Sequence, residues 1–288
     1  MKKFLKIILC ASLLIGAVAC GSSEKSVKDE KVEINIGQDP YEHEWISVNI
    51  IKQLSEEKGY KVNIVEGDIG FMFLGLAQGD IDVFPDVWLP VLHKSYMDKY
   101  EGKIELVGTL TKEIPLGVAV PSYTKFDSIA DIKDNADAIG NRIVGVEPSA
   151  GMMLTAEKTL EAYDLKDSIK LLDGSTPAML AELDKSIKLK EPMVFLAWRP
   201  HTMFTKYDIK ILDDPKGIWS FDNDEIGVNL KFKEKAPDIY KFLQHFTLSI
   251  DETEAMLIRM EEENISAEDL ASEWITEHRD EIDSYFSK

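Results

Sequence analysis

Cysteine, basic residues and long hydrophobic runs are all scarce in this sequence. Only two cysteines, Cys10 and Cys20, occur in 288 residues. Exported domains often lean on disulfides, but a chain of this length buries enough core to fold without them. Lys and Arg together number 33 against 52 Asp and Glu, a formal net charge of −19. That deficit excludes nucleic acid as a partner, because phosphate binding needs stripes of Lys and Arg. The longest apolar run, residues 7–19, is shorter than the roughly 20 residues a membrane-spanning helix needs, which excludes a multi-pass membrane protein. Hydrophobic residues make up 44%, too many for a disordered chain. Apart from one short polar stretch there is no low-complexity tract, and no internal repeat is visible in the sequence.

Catalytic patterns are missing too. Glu147-Pro148-Ser149-Ala150-Gly151 is not a G-x-S-x-G elbow. No H-E-x-x-H and no G-x-x-x-x-G-K-[ST] loop occurs. The five histidines, His43, His93, His201, His245 and His278, show no short ligand spacing. A non-enzyme with neither metal nor cofactor is therefore expected. The many carboxylates read first as solvated helix faces.

What is present begins with an address. Residues 1–6 are basic, residues 7–19 are apolar, and Ala17-Val18-Ala19-Cys20 resembles a lipobox. We expect a signal peptide over residues 1–19, removed on export, and a lipidated Cys20 that anchors the chain to the outer face of the cell membrane. Plain secretion with cleavage near Ala19 is the competing reading. Cleavage would take Cys10 with it and leave no internal disulfide. Residues 20–31, polar and small after the Cys, read as a flexible tether.

The remainder alternates strand and helix signals. Strands are predicted at residues 32–37, 61–66, 80–87, 114–120, 142–146, 169–172, 193–198 and 226–230. Helices are predicted at 41–58, 71–78, 128–134 and 149–163, then at 176–188 with Thr176 as the cap before Pro177. Capping pairs at Ser249/Glu252 and Ser266/Asp269 start two more, the last ending near 286. This is an α/β chain with mostly parallel sheets. It groups into two units: residues 32–118 plus 216–288, and residues 119–215. Two such units can close on a small molecule, because open α/β sheets bind ligands beyond the carboxyl ends of their strands.

The tryptophans mark where. Trp88, in Asp86-Val87-Trp88-Leu89-Pro90, and Trp198, in Ala197-Trp198-Arg199-Pro200-His201, lie just past or at the end of a predicted strand, one in each unit. Trp45 lies in the first turns after the first strand. Tyr41, four residues earlier, can share its helix face. A cleft rich in indoles suits a quaternary ammonium group, which has no N–H and is held by dispersion and the negative faces of π-systems. Core packing is the competing reading for each ring, and is preferred for Trp274; Trp219 stays unassigned. A carboxylate on the ligand would be met by helix N-terminal amides, either at Glu42 and His43 or at Gly151 and Met152, with His43 and His201 assisting. A ligand lacking the carboxylate would need an acidic partner such as Asp39, Glu42 or Glu44.

These motifs resemble the glycine betaine/choline-type substrate-binding proteins of ABC importers. Gly79-Asp80-Ile81-Asp82-Val83 leading to Asp86-Val87-Trp88-Leu89-Pro90, then Trp198-Arg199-Pro200-His201-Thr202-Met203-Phe204, then Leu212-Asp213-Asp214-Pro215-Lys216 follow the family's order. The resemblance implies a two-domain periplasmic-binding-protein clamp with two crossovers, Trp88 and Trp198 as cage walls, an ABC permease as partner and a monomeric receptor. Members with a late F-x-W differ from this chain, which has Phe246-Thr247-Leu248. Trp45, with Tyr41, is expected to complete the cage instead. The expected ligand is glycine betaine, with choline or carnitine as the alternative and an exported enzyme as the remote one.

Overall fold

The computed structural model describes residues 31–287. The expected signal peptide, the lipidated Cys20 and the tether up to residue 30 lie outside the described residues.

The chain opens with β1 (Glu33–Gln38), α1 (Glu42–Glu57), β2 (Lys61–Glu66), α2 (Ile69–Gln78), β3 (Val83–Leu89), α3 (Lys94–Lys99) and β4 (Ile104–Ile114). Then come β5 (Leu116–Pro121), β6 (Arg142–Val144), α4 (Gly151–Ala162), β7 (Lys170–Leu172), α5 (Thr176–Leu189), β8 (Phe195–Trp198), α6 (Met203–Lys206) and β9 (Ile209–Ile211). It closes with β10 (Asp222–Asn229), α7 (Phe232–Lys235), α8 (Pro237–Leu243), α9 (Ile250–Glu262), α10 (Ala267–Glu277) and α11 (Arg279–Ser287).

Local chemistry explains most of these boundaries. In α1, Ile46, Ile50 and Leu54 recur at a spacing of four and are fully buried, which is the helical period. α2 starts where Asp68 accepts a hydrogen bond from the Phe71 N–H at 2.9 Å, and stops at Gly79, whose φ of 86° suits glycine. The Ser249/Glu252 capping box forms as predicted, and Ser266 caps α10 through the Asp269 N–H.

Two five-stranded sheets result, in the orders β2-β1-β3-β10-β4 and β7-β6-β8-β5-β9. Each begins with the same parallel trio, a first strand flanked by the next two. The sheets are mixed, not mostly parallel. β10 runs antiparallel to β3 and β4, and β5 runs antiparallel to β8 and β9. The chain crosses between sheets twice, at Pro115 and again between β9 and β10. β5 lies wholly in the second sheet, so residues 116–118 join it rather than the first. Trp219 packs into the second sheet's core, so the return crossing follows residue 219 rather than residue 215.

Other departures have simple causes. β4, unanticipated, is an edge strand whose sequence IELVGTLTKEI lacks clean alternation. β10 starts four residues before the predicted strand because its acidic opening, Asp222-Asn223-Asp224-Glu225, is stabilised by tertiary partners. α4 starts at Gly151 with Ala150 as its cap residue, not at Ser149. α5 is capped by Ser175, leaving Thr176 inside the helix. The predicted last helix breaks at His278 into α10 and α11.

The second sheet is wrapped around one apolar core. The first has its main core against α1 and the C-terminal helices, and a smaller one beneath α2. Among the described residues no helix is long and apolar enough to cross a membrane.

Candidate ligand-binding cleft

β3 and β8 hold equivalent places in the two sheets, and each carries a tryptophan at or one residue before its end, followed two residues later by a cis-proline. The strand ends therefore bring Trp88 and Trp198 to one cleft. Its empty volume is about 350 Å³, mouth included, and its walls comprise Tyr41, His43, Ile69, Asp86, Trp88, Leu92, His93, Val146, Ala150, Gly151, Met152 and Trp198.

Tyr41 enters as the residue preceding α1. Its ring meets Trp198 edge to face, with centroids 5.7 Å apart and planes at 80°. His43 stacks near Tyr41 at 6.1 Å and meets Trp88 edge to face at 5.6 Å. Both indoles are only 3% exposed and belong to the apolar core. Core packing and cleft wall are thus one role for these two rings. The two sheets are also tied together across the cleft. The Tyr41 hydroxyl donates to Glu147 Oε2 at 3.2 Å, and the Tyr96 hydroxyl donates to the Ser149 carbonyl at 3.0 Å. Arg199 forms a forked pair with the buried Glu254, and Lys206 pairs with Glu261.

Gly151 and Met152 reach the cleft at the first turn of α4, which has no side-chain cap. First-turn N–H groups lack intrahelical acceptors, and the helix dipole places partial positive charge there.

Beneath the aromatic walls lies a buried acidic cluster: Asp39, Glu44, Asp86 and Asp224. Asp86 Oδ1 accepts the Trp88 Nε1–H at 2.6 Å and faces His43 Nε2 at 3.0 Å. Burial alone would raise Asp86. Attraction to His43 and its hydrogen bond to Asp86 outweigh it and hold Asp86 below the usual carboxylate value. The neighbours go the other way. Burial, then the charges of Glu44 and Asp86, pushes Asp39 well up. Burial and then Asp86 raise Glu44; burial, then Asp86 and Glu44, raise Asp224. Asp39 Oδ2, Glu44 Oε1 and Asp224 Oδ1 have no hydrogen-bond partner among the described residues, which suits neutral carboxyls better than bare charges. His93 Nδ1 accepts the Trp88 backbone N–H at 2.9 Å, and burial pushes its imidazole down to about 4. No cluster among the described residues has the arrangement of a metal site.

Several expected site residues lie elsewhere. Trp45 is half-buried against the first sheet's core, its Nε1–H donating to the Asp39 carbonyl at 3.1 Å, and it does not line the cleft. Tyr41 precedes α1 with extended backbone (φ −94°, ψ 119°) rather than helical, so the two residues do not share a helix face, and Trp45 packs against the first sheet's core. Glu42 is exposed and, with His201, lines a wider outer groove of about 1500 Å³, solvent included. The His201 ring backs Trp198 at 5.0 Å, and its Nδ1 accepts the Met203 N–H. Asp39 and Glu44 lie under the cleft rather than in its wall. Trp219 packs in the second core, its Nε1–H on Thr159 Oγ1 at 2.8 Å.

Asp86 and Glu147 were missed. For Asp86 a signal existed: it lies two residues before Trp88 on the same strand, and alternate strand residues share a face. Glu147 gave none, because its partners come from distant segments.

A family model described as the substrate binding domain of ABC-type glycine betaine transport systems matches residues 32–277. The chain belongs to this family. Its members bind a substrate for a transporter, and the protein is a binding protein rather than an enzyme. Lactococcal OpuAC, solved closed and complexed with glycine betaine, is 34% identical with a TM-score of 0.81, over 88% of this chain and 99% of that one. The glycine betaine/L-proline-binding protein ProX from Borrelia burgdorferi is 29% identical with a TM-score of 0.84, over 88% and 98%. The glycine betaine/carnitine transport binding protein of Listeria monocytogenes is 33% identical over 152 residues, 52% of this chain and 50% of that protein. The match thus spans about half the length of that curated relative. The two-sheet α/β fold with two crossovers is the one these solved relatives share.

Proposed function

We propose that this protein captures glycine betaine, or a close quaternary ammonium compound, and delivers it to an ABC permease. One observation carries the reading. Three aromatic residues, Tyr41 before α1, Trp88 from the first sheet and Trp198 from the second, converge on one small cleft whose wall includes the buried Asp86 carboxyl group. A trimethylammonium group offers no N–H, so ring faces and dispersion are its natural partners, at about 0.5–2 kcal/mol per contact. Three such contacts are consistent with micromolar binding, about 8 kcal/mol in all once dispersion and the carboxylate end contribute. The ligand carboxylate goes to the first-turn amides of Gly151 and Met152. Choline lacks that group; of the acids that could replace it, Asp39 and Glu44 are buried below the cleft, Glu42 is exposed outside it, and Asp86 in the wall already holds Trp88 and His43. Betaine is therefore preferred to choline.

The family membership supports the transport role. The receptor works outside the cytoplasm, held at the membrane by lipidated Cys20 through the following tether, and as a monomer. The two lobes, each built on one sheet, close on the ligand by a hinge at the two crossovers.

Calorimetry with glycine betaine, choline and carnitine tests the reading. Betaine should bind in the micromolar range, and choline binding more tightly than betaine would sink it. Trp88→Ala and Trp198→Ala should each weaken betaine by at least about tenfold, the loss expected for one desolvated cation–π contact. Both rings are also core residues, so melting is followed alongside and affinity is referred to the folded fraction.

A further inference from the structure

The cleft wall includes a buried carboxylate, Asp86, one oxygen of which is bonded to two other wall side chains. We infer that Asp86 is a positioning and specificity residue: its buried carboxylate holds Trp88 and His43 in place and makes the cleft prefer a cation to a neutral group of the same shape. This rests on the quaternary ammonium reading above.

The geometry supports it in three ways. Asp86 Oδ1 takes the Trp88 indole N–H at 2.6 Å and His43 Nε2 at 3.0 Å, while the two rings meet edge to face at 5.6 Å. Both rings line the cleft. One oxygen therefore fixes two walls. Second, a hydrogen bond to an ionised acceptor is short and strong, and it drives electron density from the N–H into the ring whose face the ligand meets. Third, Asp86 is 2% exposed, and Asp39, Glu44 and Asp224 beside it carry unpartnered carboxyl oxygens. Burial and the charge of Asp86 push those three carboxyls up, so Asp86 is the acid of the cluster most favoured to ionise, in a place that water screens little.

The arrangement also explains which cation fits. The Asp86 oxygen facing the walls is already occupied by Trp88 and His43. A primary ammonium brings N–H donors that would have to displace Trp88 or His43 from that oxygen. A quaternary ammonium has none to satisfy, and it profits from the charge at a distance.

The test compares each cationic ligand with its uncharged-head carbon isostere: glycine betaine with 3,3-dimethylbutanoate, and choline with 3,3-dimethylbutan-1-ol. In the wild type the cation should bind at least tenfold better than its isostere. Asp86→Asn should reduce that preference at least tenfold, with the isostere's own affinity changed little. Equal losses for cation and isostere would mean that Asp86 only shapes the wall, and would overturn the inference. Should Asp86→Asn not fold, Trp88→Phe and Trp198→Phe are compared. Both exchange an indole for a phenyl ring, but only Trp88 is bonded to Asp86. The cation preference should fall at least fivefold further in Trp88→Phe; equal falls overturn the inference. A wild type that binds no quaternary ammonium would refute the proposed function itself. A wild type that binds one, with preferences unmoved by these variants, would refute only the role of Asp86.

Discussion

Gly151 offers a direct test of closure. It is the first residue of α4, on the second lobe, and a Cβ built there would lie 2.4 Å from the Leu92 carbonyl oxygen and 2.7 Å from its carbonyl carbon. Leu92 follows β3 on the first lobe, where its N–H and that of Val91 are held by Asp222. Both sides of the contact are backbone, so neither can swing away. Gly151→Ala places the two lobes about 1 Å inside van der Waals contact. Separating them by that much also stretches the Tyr41–Glu147 and Tyr96–Ser149 bonds across the cleft. Overpacking of this kind costs about 1–3 kcal/mol, which corresponds to roughly a 5- to 150-fold weaker Kd. With the lobes apart the clash is absent, and Ala in place of Gly in a helix is worth up to ~1 kcal/mol. Ligand-free Gly151→Ala should therefore melt at or slightly above the wild-type temperature, while calorimetry records weaker binding and stopped-flow a faster dissociation. Gly70→Ala is the control. Its Cβ would meet nothing closer than 3.4 Å, so binding should be unchanged. If Gly151→Ala binds with wild-type affinity, the close contact at Leu92 is no part of the bound state and the closure argument fails. A steep fall in ligand-free stability would instead mean that the lobes are already joined without ligand.

Two tryptophans separate packing from binding. Trp274 is buried against Phe246 and His278, so Trp274→Ala should lose about 3–5 kcal/mol of stability in urea melts yet bind with its intrinsic Kd intact. Trp45→Phe should change Kd by less than about twofold, since that ring faces the helices and not the cleft; a tenfold loss would return Trp45 to the binding site. The last prediction is a pH dependence. Burial holds folded His93 at about 4 against an ordinary 6.5, so between those values the unfolded chain carries a proton that the folded one lacks. Its contribution is complete above pH 6.5 and falls on acidification, by about 2 kcal/mol from pH 6.5 to 5. The raised carboxyls Asp39, Glu44 and Asp224 act in the opposite sense, their contribution fading as pH rises through their folded values. The difference between wild type and His93→Asn isolates the histidine: the variant should lose less stability between pH 7 and 5. Parallel stability curves would show that the buried imidazole is not what titrates.

Much of this protein is legible residue by residue. The alternation at the start of β1, the four-residue spacing of Ile46, Ile50 and Leu54, and the Ser249/Glu252 box are local patterns whose energetics are complete within a few residues. The motifs around Trp88 and Trp198 likewise marked strand ends, and strand ends are where such sheets bind ligands. What the sequence left open depended on partners far along the chain. β10 begins in a run of acids that looks like a loop until Asp222 caps the Val91-Leu92 turn and Glu225 meets Thr109. β4 has too little alternation to stand out, and is made a strand by pairing with β10. Trp45 has the same composition signal as Trp88, but it packs with the C-terminal helices while Tyr41, extended before the start of α1, faces the cleft. Asp86 reads as one acid among 52 acidic residues. Only the folded chain surrounds it with Asp39, Glu44 and Asp224 and sets Trp88 and His43 upon it, because burial and mutual repulsion act between groups that meet only in three dimensions.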